Sequence, residues 1–192
     1  MFKKQKNTFF DSRLLKLIFF TPLFISIPFF GEFNISKAGL EFQWDRNPYY
    51  KQLRWFQTND TRRGRNTIYF FLRPFDRNNE LLKINVNLPK KFDSTLKLDK
   101  ISLCKVRIGG YESRTKCIEN IPADVVLNKE ENSLDIFPYT KIPRTKDSYA
   151  VVMKIFNPKK SGLYQFHSYG QPAGESPSLR YLGSWTIKIE EQ

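Results

Sequence analysis

The stretch that decides the fold runs from Tyr149 to Ile189 and reads YAVVMKIF (149–156), NPKKSG (157–162), LYQFHSY (163–169), GQPAGESPSLRYL (170–182) and GSWTIKI (183–189). Apolar side chains alternate with the others in the first, third and last runs, and this period of two is typical of β-strands with one buried face. Proline and glycine mark the two connections. The pattern predicts three antiparallel strands in one sheet, whose apolar face needs a second layer to cover it.

The remainder of the chain repeats this kind of pattern at regular spacing. Runs of strand length, separated by turn-forming residues, cover 40–44, 67–73, 82–88, 96–108, 113–121, 125–127 and 134–137. In the run 82–88, Leu82 and Ile84 are expected to share the inward face. No convincing helix follows residue 38. The chain is therefore predicted to be all-β, with a single antiparallel β-sandwich of the immunoglobulin-like or Greek-key type over residues 39–192.

The N-terminus has the order of a secretory signal peptide. Five Lys and Arg residues precede Leu17–Gly31, an uncharged run of 15 residues, and the small residues Ser36 and Ala38 stand three and one before a cut. Residues 1–38 are therefore predicted to be a signal peptide, with Gly39 as the mature N-terminus. The alternative is an uncleaved anchor, although the run is short for a span of about 20 residues and Pro22 and Pro28 interrupt it. No transmembrane span is expected in the mature chain.

The charge balance favours anionic partners. The whole chain carries a formal net charge of +13, and about +9 remains after residues 1–38 are removed. A basic surface attracts nucleic acids, acidic glycans and lipid headgroups. Because export would separate the protein from nucleic acid, we expect the partner to be an anionic glycan, a lipid headgroup or an envelope protein.

Two cysteines flank a glycine pair. With Gly110-Tyr111 as a two-residue turn, Cys104 faces Cys117 in a hairpin at a position where a disulfide can form. Export to an oxidising compartment favours the bond, and two buried thiols are the alternative. The same register places Lys105 opposite Lys116 and Arg107 opposite Arg114. Like charges in opposed positions destabilise a sheet, so this basic face is a candidate docking patch for an anion, or else a solvated surface.

A second candidate site comes from the segment 51–65, where basic residues are interleaved with aromatic residues of positions 49–56. Guanidinium groups pair with sulfate, phosphate or carboxylate through two hydrogen bonds, and aromatic faces cover sugar rings or cations. A solvated loop beside core aromatics is the alternative. The candidate anion-binding residues of this segment are Arg54, Arg62, Arg63 and Arg65.

The sequence gives little support for a catalytic site. His167 is the one histidine, and it lies on a predicted strand where a surface or structural role is common. No nucleophile motif and no glycine-rich phosphate loop is found, and carboxylates such as Asp45 and Glu175 are not marked as an acid–base pair. One mature Met and one His are too few for a dedicated copper site. The chain is predicted to be non-catalytic, with no metal and no cofactor.

The residues of the C-terminal third resemble a known family. Asn157-Pro158, the run Gly162 to Phe166, Pro172 to Glu175 and Tyr181 to Gly183 resemble the tail of a cyanobacterial exported family known as domain of unknown function 2808, and the start Gly39–Asp45 is similar to its marine picocyanobacterial branch. The resemblance implies a β protein of the cell envelope or thylakoid lumen. It brings no catalytic residues. Its pattern is matched by residues expected to be structural: Gly162, Tyr164, Pro172, Gly174, Tyr181 and Gly183.

Tyr164 follows Gly162 into a late strand, as in the tyrosine corner of Greek-key sandwiches, and an ordinary core or edge tyrosine is the alternative. Together these observations predict an exported, non-catalytic β-sandwich of the periplasm, cell envelope or thylakoid lumen, which binds an anionic envelope component or an envelope protein. The alternative is a structural or assembly factor that docks on a larger complex in the lumen, for example a photosynthetic one.

Overall fold

A computed structural model describes the backbone of residues 41–43 and all atoms of residues 49–174 and 178–191. The predicted signal peptide, its cleavage site at Gly39, and Asp45, Glu175 and Pro177 lie outside the described residues, so these expectations stay predictions. Eleven strands are described: β1 (Glu41–Gln43), β2 (Trp55–Gln57), β3 (Arg65–Leu72), β4 (Leu81–Asn87), β5 (Ile101–Arg107), β6 (Lys116–Ile121), β7 (Ala123–Asn128), β8 (Ser133–Pro138), β9 (Tyr149–Phe156), β10 (Gly162–Pro172) and β11 (Arg180–Ile189). Two single-turn 3-10 helices span Pro74–Asp76 and Leu98–Lys100.

The strands form two sheets, and the prediction of an all-β sandwich is confirmed. Sheet A has the order β1-β10-β4-β8-β7, with β11 on the other side of β10, and sheet B has the order β2-β3-β9-β5-β6. All pairings are antiparallel except that of the short β1 with β10. The core between the sheets is apolar, because one face of each strand carries the alternating residues, such as Phe70, Met153, Phe166 and Trp185.

The expected three-stranded sheet of the C-terminal third is wrong. Strand β10 pairs with β11 as predicted, but β9 pairs with β3 and β5 in sheet B. The connection 157–161 therefore crosses from one sheet to the other. A period of two shows that each segment is a half-buried strand but carries no information on its partner, so the two sheets were not distinguishable from this stretch.

The Cys104–Cys117 disulfide is confirmed, with 5.7 Å between the Cα atoms, but the register predicted for its hairpin is wrong. Cys104 lies opposite Asn120, and Cys117 lies opposite Val106, with an irregularity between Lys105 and Val106. The turn is closed one residue later than expected, by the Gly110 N–H donating to the Ser113 carbonyl at 2.9 Å.

Gly109, which precedes the hairpin turn, is required by the space around it and not by its backbone conformation. An added Cβ at Gly109 would lie 2.5 Å from the backbone nitrogen of Thr115, and Gly109 is not among the described glycines with positive φ. Close approach of the two strands, rather than a left-handed turn, therefore requires glycine at this position.

Strand β4 also departs from the expected phase. Leu82, predicted to face inward with Ile84, is 41% exposed, and Leu81 is buried in its place. Leu81 pairs with Pro172 just after a register shift in β10. The resulting irregularity offsets the alternation by one residue at the start of the strand.

Most residues of the C-terminal family pattern lie on β10, β11 and their connection, and Asn157-Pro158 lie in the connection from β9 to β10. Gly162, Gly174 and Gly183 have φ values of 148°, 139° and 146°, a region that favours glycine. The Tyr164 hydroxyl donates to the Lys160 carbonyl at 2.8 Å. This bond to a backbone carbonyl a few residues upstream is the geometry of a tyrosine corner, and it closes the connection between the two sheets.

Candidate functional site: a basic groove

A groove with a volume of about 810 Å³ lies on sheet B, where the beginning of β3 and the end of β9 meet the segment 93–100. Its size is within the usual range for a ligand site. Cations dominate its lining, with Asp93 as the one carboxylate among the lining residues. The lining cations are Arg63, Arg65, Lys97, Lys100, Lys154 and Lys159.

Strand register explains how these charges come together. Arg65 lies opposite Phe156, and Thr67 lies opposite Lys154, on the face of sheet B that is turned away from the core. Strand β5 lies on the other side of β9 and begins with Ile101, so Lys100 approaches Lys154 from the neighbouring strand position. Like charges on adjacent strands are unfavourable unless solvent or an anion screens them.

The groove cations are largely without internal counter-charges. Lys100 forms an ion pair with Asp99 at 3.1 Å. Within residues 49–174 and 178–191, no ion pair involves Arg63, Arg65, Lys97, Lys154 or Lys159. The Arg65 guanidinium lies 5.7 Å from the centre of the Phe156 ring, and that side chain is 58% exposed. Five cations around one concavity therefore offer their donors to a ligand.

A buried pair of asparagines fixes the wall of the groove. The Asn66 amide donates to Asn157 Oδ1 at 2.8 Å, and Asn66 Oδ1 accepts the backbone N–H groups of Thr58 and Asn59 at 3.1 Å. The Asn157 amide donates to the carbonyls of Asn59 and Thr61 at 3.0 and 2.8 Å. These bonds tie the loop 58–64 to the ends of β3 and β9. The wall is thus preorganised, and ligand binding does not have to order it.

Arg63 is held in a strained backbone conformation at the groove. Its φ is 55°, a region that non-glycine residues rarely adopt, and its N–H donates to the Pro158 carbonyl at 3.3 Å. Gly64 follows in a crowded position, where an added Cβ would lie 2.5 Å from the side-chain nitrogen of Asn59. Strain of this kind costs about 1–3 kcal/mol and is commonly retained at binding sites.

The structure brings only part of the predicted arginine segment to the groove. Arg63 and Arg65 line it. Arg62 points elsewhere and pairs with Glu191 at 3.1 Å. Arg54 is exposed just before β2, and its carbonyl accepts the Phe71 N–H at 3.1 Å. Of the four predicted arginines, Arg63 and Arg65 therefore line the groove, and the other two lie outside it.

The predicted four-cation face of the hairpin is not formed. Lys105 lies opposite Glu119, not Lys116, and its ammonium pairs with Asp147 at 2.9 Å. The hydrogen bond to Asp147 raises the pKa of Lys105, and the same bond lowers the pKa of Asp147. Arg107 faces Lys116 instead of Arg114 because the turn is shifted. Arg107, Arg114 and Lys116 remain exposed near the hairpin tip.

Four groove cations were missed by the sequence reasoning: Lys97, Lys100, Lys154 and Lys159. Lys154 carried a usable signal, because it is the single charge on the outward face of an otherwise apolar strand. The other three lie before β5 and after β9, and only the pairing of β5 with β9 brings these ends together.

His167 is engaged in a structural contact on sheet A. Its Nδ1 lies 2.8 Å from Ser184 Oγ, which is also 2.6 Å from the Tyr181 hydroxyl. Ser184 is completely buried, so this hydroxyl offers no accessible nucleophile. Burial raises the pKa of Tyr181 above its usual value of 10.0, at which a phenol is already protonated at neutral pH. A smaller cavity of about 220 Å³ lies beside Tyr181 and Arg180.

The described residues contain neither a metal-binding cluster nor a membrane-spanning helix. No cluster of three or more His, Cys, Asp or Glu residues that could hold a metal ion occurs among the described residues. None of the described helices is long and apolar enough to cross a membrane.

The fold and groove define an all-β sandwich with a preorganised basic concavity. Residues 44–189 match the family model described as "Protein of unknown function (DUF2808)", and the chain belongs to this family. The resemblance stated from the C-terminal residues is thereby confirmed, while the cyanobacterial branch stays a prediction. Comparison with curated protein sequences finds no match.

The chain is similar to a number of solved structures, including the following three. BslA, a bacterial hydrophobin, has 15% identity and a TM-score of 0.43, and the match covers 73% of this chain and 98% of that chain. The collagen-binding domain of a Staphylococcus aureus adhesin has 12% identity and a TM-score of 0.39, with 70% and 95% covered. The collagen-binding subdomain ACE19 of the Enterococcus faecalis surface protein ACE has 8% identity and a TM-score of 0.40, with 75% and 99% covered.

Proposed function

We propose that this protein is an exported, non-catalytic β-sandwich that binds an anionic component of the cell envelope in the groove of sheet B. The observation that carries the proposal is the convergence of Arg63, Arg65, Lys97, Lys154 and Lys159, without internal ion pairs, around one preorganised concavity. Charge-assisted hydrogen bonds from such groups to sulfate, phosphate or carboxylate are stronger than neutral ones.

The disulfide supports the proposed compartment. A bond between Cys104 and Cys117 is stable in oxidising compartments and rare in the reducing cytosol. The periplasm, the cell envelope and the thylakoid lumen all meet this condition. Mass spectrometry of the native protein is expected to find Gly39 as the first residue, and a chain that retains residues 17–31 would instead indicate an anchor.

The binding proposal is tested by retention of the purified protein on immobilised dextran sulfate, with neutral dextran as the reference matrix. The groove variant carries Arg65→Gln and Lys154→Gln, two exposed residues outside the core. It is expected to lose about tenfold or more in affinity, because two charge-assisted contacts disappear.

The matched control carries Arg107→Gln and Lys116→Gln at the hairpin tip, which removes the same charge from the other candidate surface. It is expected to bind nearly as the parent protein does. A groove variant that binds like the parent contradicts the proposal, and a selective loss in the hairpin variant would move the site to the hairpin. If neither variant matters and the protein is recovered with a protein complex, the assembly-factor alternative is favoured.

A further inference from the structure

The groove contains more than cations, and its other groups indicate what kind of anion it accepts. Hydroxyl side chains lie among the charges, together with one exposed carboxylate and one exposed aromatic ring. The hydroxyl-bearing lining residues are Thr58, Thr67, Ser94 and Thr95. Phosphate chains and sulfate ions offer almost no hydrogen-bond donors, whereas a saccharide offers many. A mixed lining of this kind suits a ligand that carries both negative charges and hydroxyl groups.

Asp93 is informative because a carboxylate repels anions. One of its oxygens accepts the Lys159 backbone N–H at 3.0 Å, which orders the side chain at the groove. Each carboxylate oxygen can accept more than one hydrogen bond, so Asp93 retains capacity for a ligand hydroxyl. A ligand without hydroxyl groups would leave this capacity of Asp93 unused.

Phe156 supplies the surface for a ring. It lies between Arg65 on the facing strand position and Lys154 two residues earlier on its own strand, so its ring is flanked by cations. An exposed aromatic ring inside a concavity can be covered by a flat apolar ring face. An aromatic that inserts into a membrane would need to project from a convex tip, which is not the position of Phe156.

We propose that the ligand is a chain of an acidic polysaccharide, with one sugar ring on Phe156, its acidic groups on the flanking Arg and Lys residues, and its hydroxyls toward Asp93. This inference rests on the function proposed above, since it requires the groove to bind anions. The volume of about 810 Å³ and the spread of the cations over several segments fit an extended chain better than a single small anion.

The test compares Phe156→Ala with the parent protein on two soluble polyanions, dextran sulfate and inorganic polyphosphate. Loss of the ring is expected to weaken binding of dextran sulfate about fivefold or more and to leave polyphosphate binding unchanged. Phe156→Tyr, which keeps the ring, is expected to bind both polymers as the parent does. Because Phe156 is largely exposed, these variants are expected to fold.

Phe75→Ala is the matched control, because Phe75 is also an exposed phenylalanine below a guanidinium, with Arg73 at 4.2 Å from its ring centre, and lies outside the groove. Equal weakening by the two alanine variants, or equal loss on both polymers, overturns the inference. Tight binding to phosphatidylglycerol vesicles that depends on Phe156 would overturn it in favour of a lipid. If Arg65→Gln with Lys154→Gln changes no polyanion binding, the proposed function itself fails.

Discussion

Position 183, at the edge of sheet A, accepts only glycine without a loss of stability. It has a φ of 146°, and an added Cβ would lie 2.6 Å from Leu53 Cγ and 2.8 Å from the Lys51 carbonyl oxygen. Residues 51–53 bond to Ser184, so this part of the chain cannot withdraw without losing backbone hydrogen bonds. Both the conformation and the space therefore require glycine.

Gly183→Ala is expected to destabilise the protein by about 2–4 kcal/mol, since the unfavourable φ and the steric overlap act together. The free energy of unfolding is measured by urea titration. Gly110→Ala is the control, because an added Cβ there meets nothing within 4 Å and Gly110 is not among the described glycines with positive φ. Equal stability of the two variants would show that residues 51–53 move away at little cost.

At Arg63, in contrast to Gly183, a residue with a side chain occupies a positive-φ conformation that favours glycine. Replacement by glycine relieves the left-handed strain, so Arg63→Gly is expected to raise the free energy of unfolding by up to about 1 kcal/mol. The same change removes a groove cation and is expected to weaken binding to dextran sulfate. Urea titration and binding measured on the same sample test this opposition. Lower stability together with unchanged binding would assign Arg63 a structural role.

At the level of elements, the sequence identified strands better than their partners. The apolar alternation of 149–156, 163–169 and 184–189 located β9, β10 and β11, because alternation is a local property of a half-buried strand. The assignment of β9 to sheet B depends on its pairing with β3 and β5. The paired residues lie 77 to 91 positions away in β3 and 44 to 52 positions away in β5. Such pairing is decided by the whole core and is not encoded in a short window.

The hairpin teaches the same lesson on a smaller scale. Its disulfide was predictable from cysteine spacing and the predicted export, and small changes of register left the two cysteines within reach of each other. The charge pattern was not predictable, because a shift of one residue in the turn, together with the irregularity between Lys105 and Val106, moved Lys105 from a facing lysine to Glu119. Facing charge pairs depend on the exact register and were predicted wrongly, whereas the disulfide requires only that the two cysteines lie close together and was predicted correctly.

The ion pair of Lys105 with Asp147 gives the hairpin a pH-dependent contact. The pKa of Asp147 lies below its usual value of 3.8, so its stabilising effect is present above that pH and is lost as the pH falls through the lowered pKa. The pKa of Lys105 lies above its usual value of 10.5, so its effect is present below that pH and is lost as the pH rises through the raised pKa.

Asp147→Asn is therefore expected to lower the urea midpoint between about pH 5 and pH 9, and this deficit is expected to shrink toward pH 2–3. Because both groups are exposed, the effect is expected to be small and to decrease in high salt. Urea titrations at pH 7 and pH 2.5 check the prediction. A deficit that is equal at both pH values would mean that the Thr145 hydroxyl contact, rather than the charge, is responsible.

For the whole molecule, the sequence supplied the sign of the charge but not its arrangement. A net charge of +13 predicted an anionic partner, and the basic segment 51–65 contributed Arg63 and Arg65 to the groove. The lysines at 97, 100, 154 and 159 are spread over about 60 residues and meet only because sheet B places β9 between β3 and β5. A site assembled from two strands and three connecting segments has no local signature in the sequence.

The arrangement of charge also determines how salt should affect binding. If net charge alone attracts a polyanion, the position of a cation does not matter. Removal of any two cations then reduces the salt dependence of the affinity by the same amount. If the ligand contacts the groove cations, each contact releases counterions from the polymer, and the slope of log affinity against log salt concentration falls by about one for each cation removed.

We therefore expect the groove variant, with Arg65→Gln and Lys154→Gln, to lose about two units of this slope on dextran sulfate. The hairpin variant, with Arg107→Gln and Lys116→Gln, has the same net charge and is expected to keep the slope of the parent protein. The slopes are obtained from affinities measured at several salt concentrations between about 50 and 200 mM. Over this range the logarithm of the affinity depends linearly on the logarithm of the salt concentration. Equal slopes for the two variants would mean that the molecule attracts polyanions through its overall field, so that the groove would make no direct contact with them.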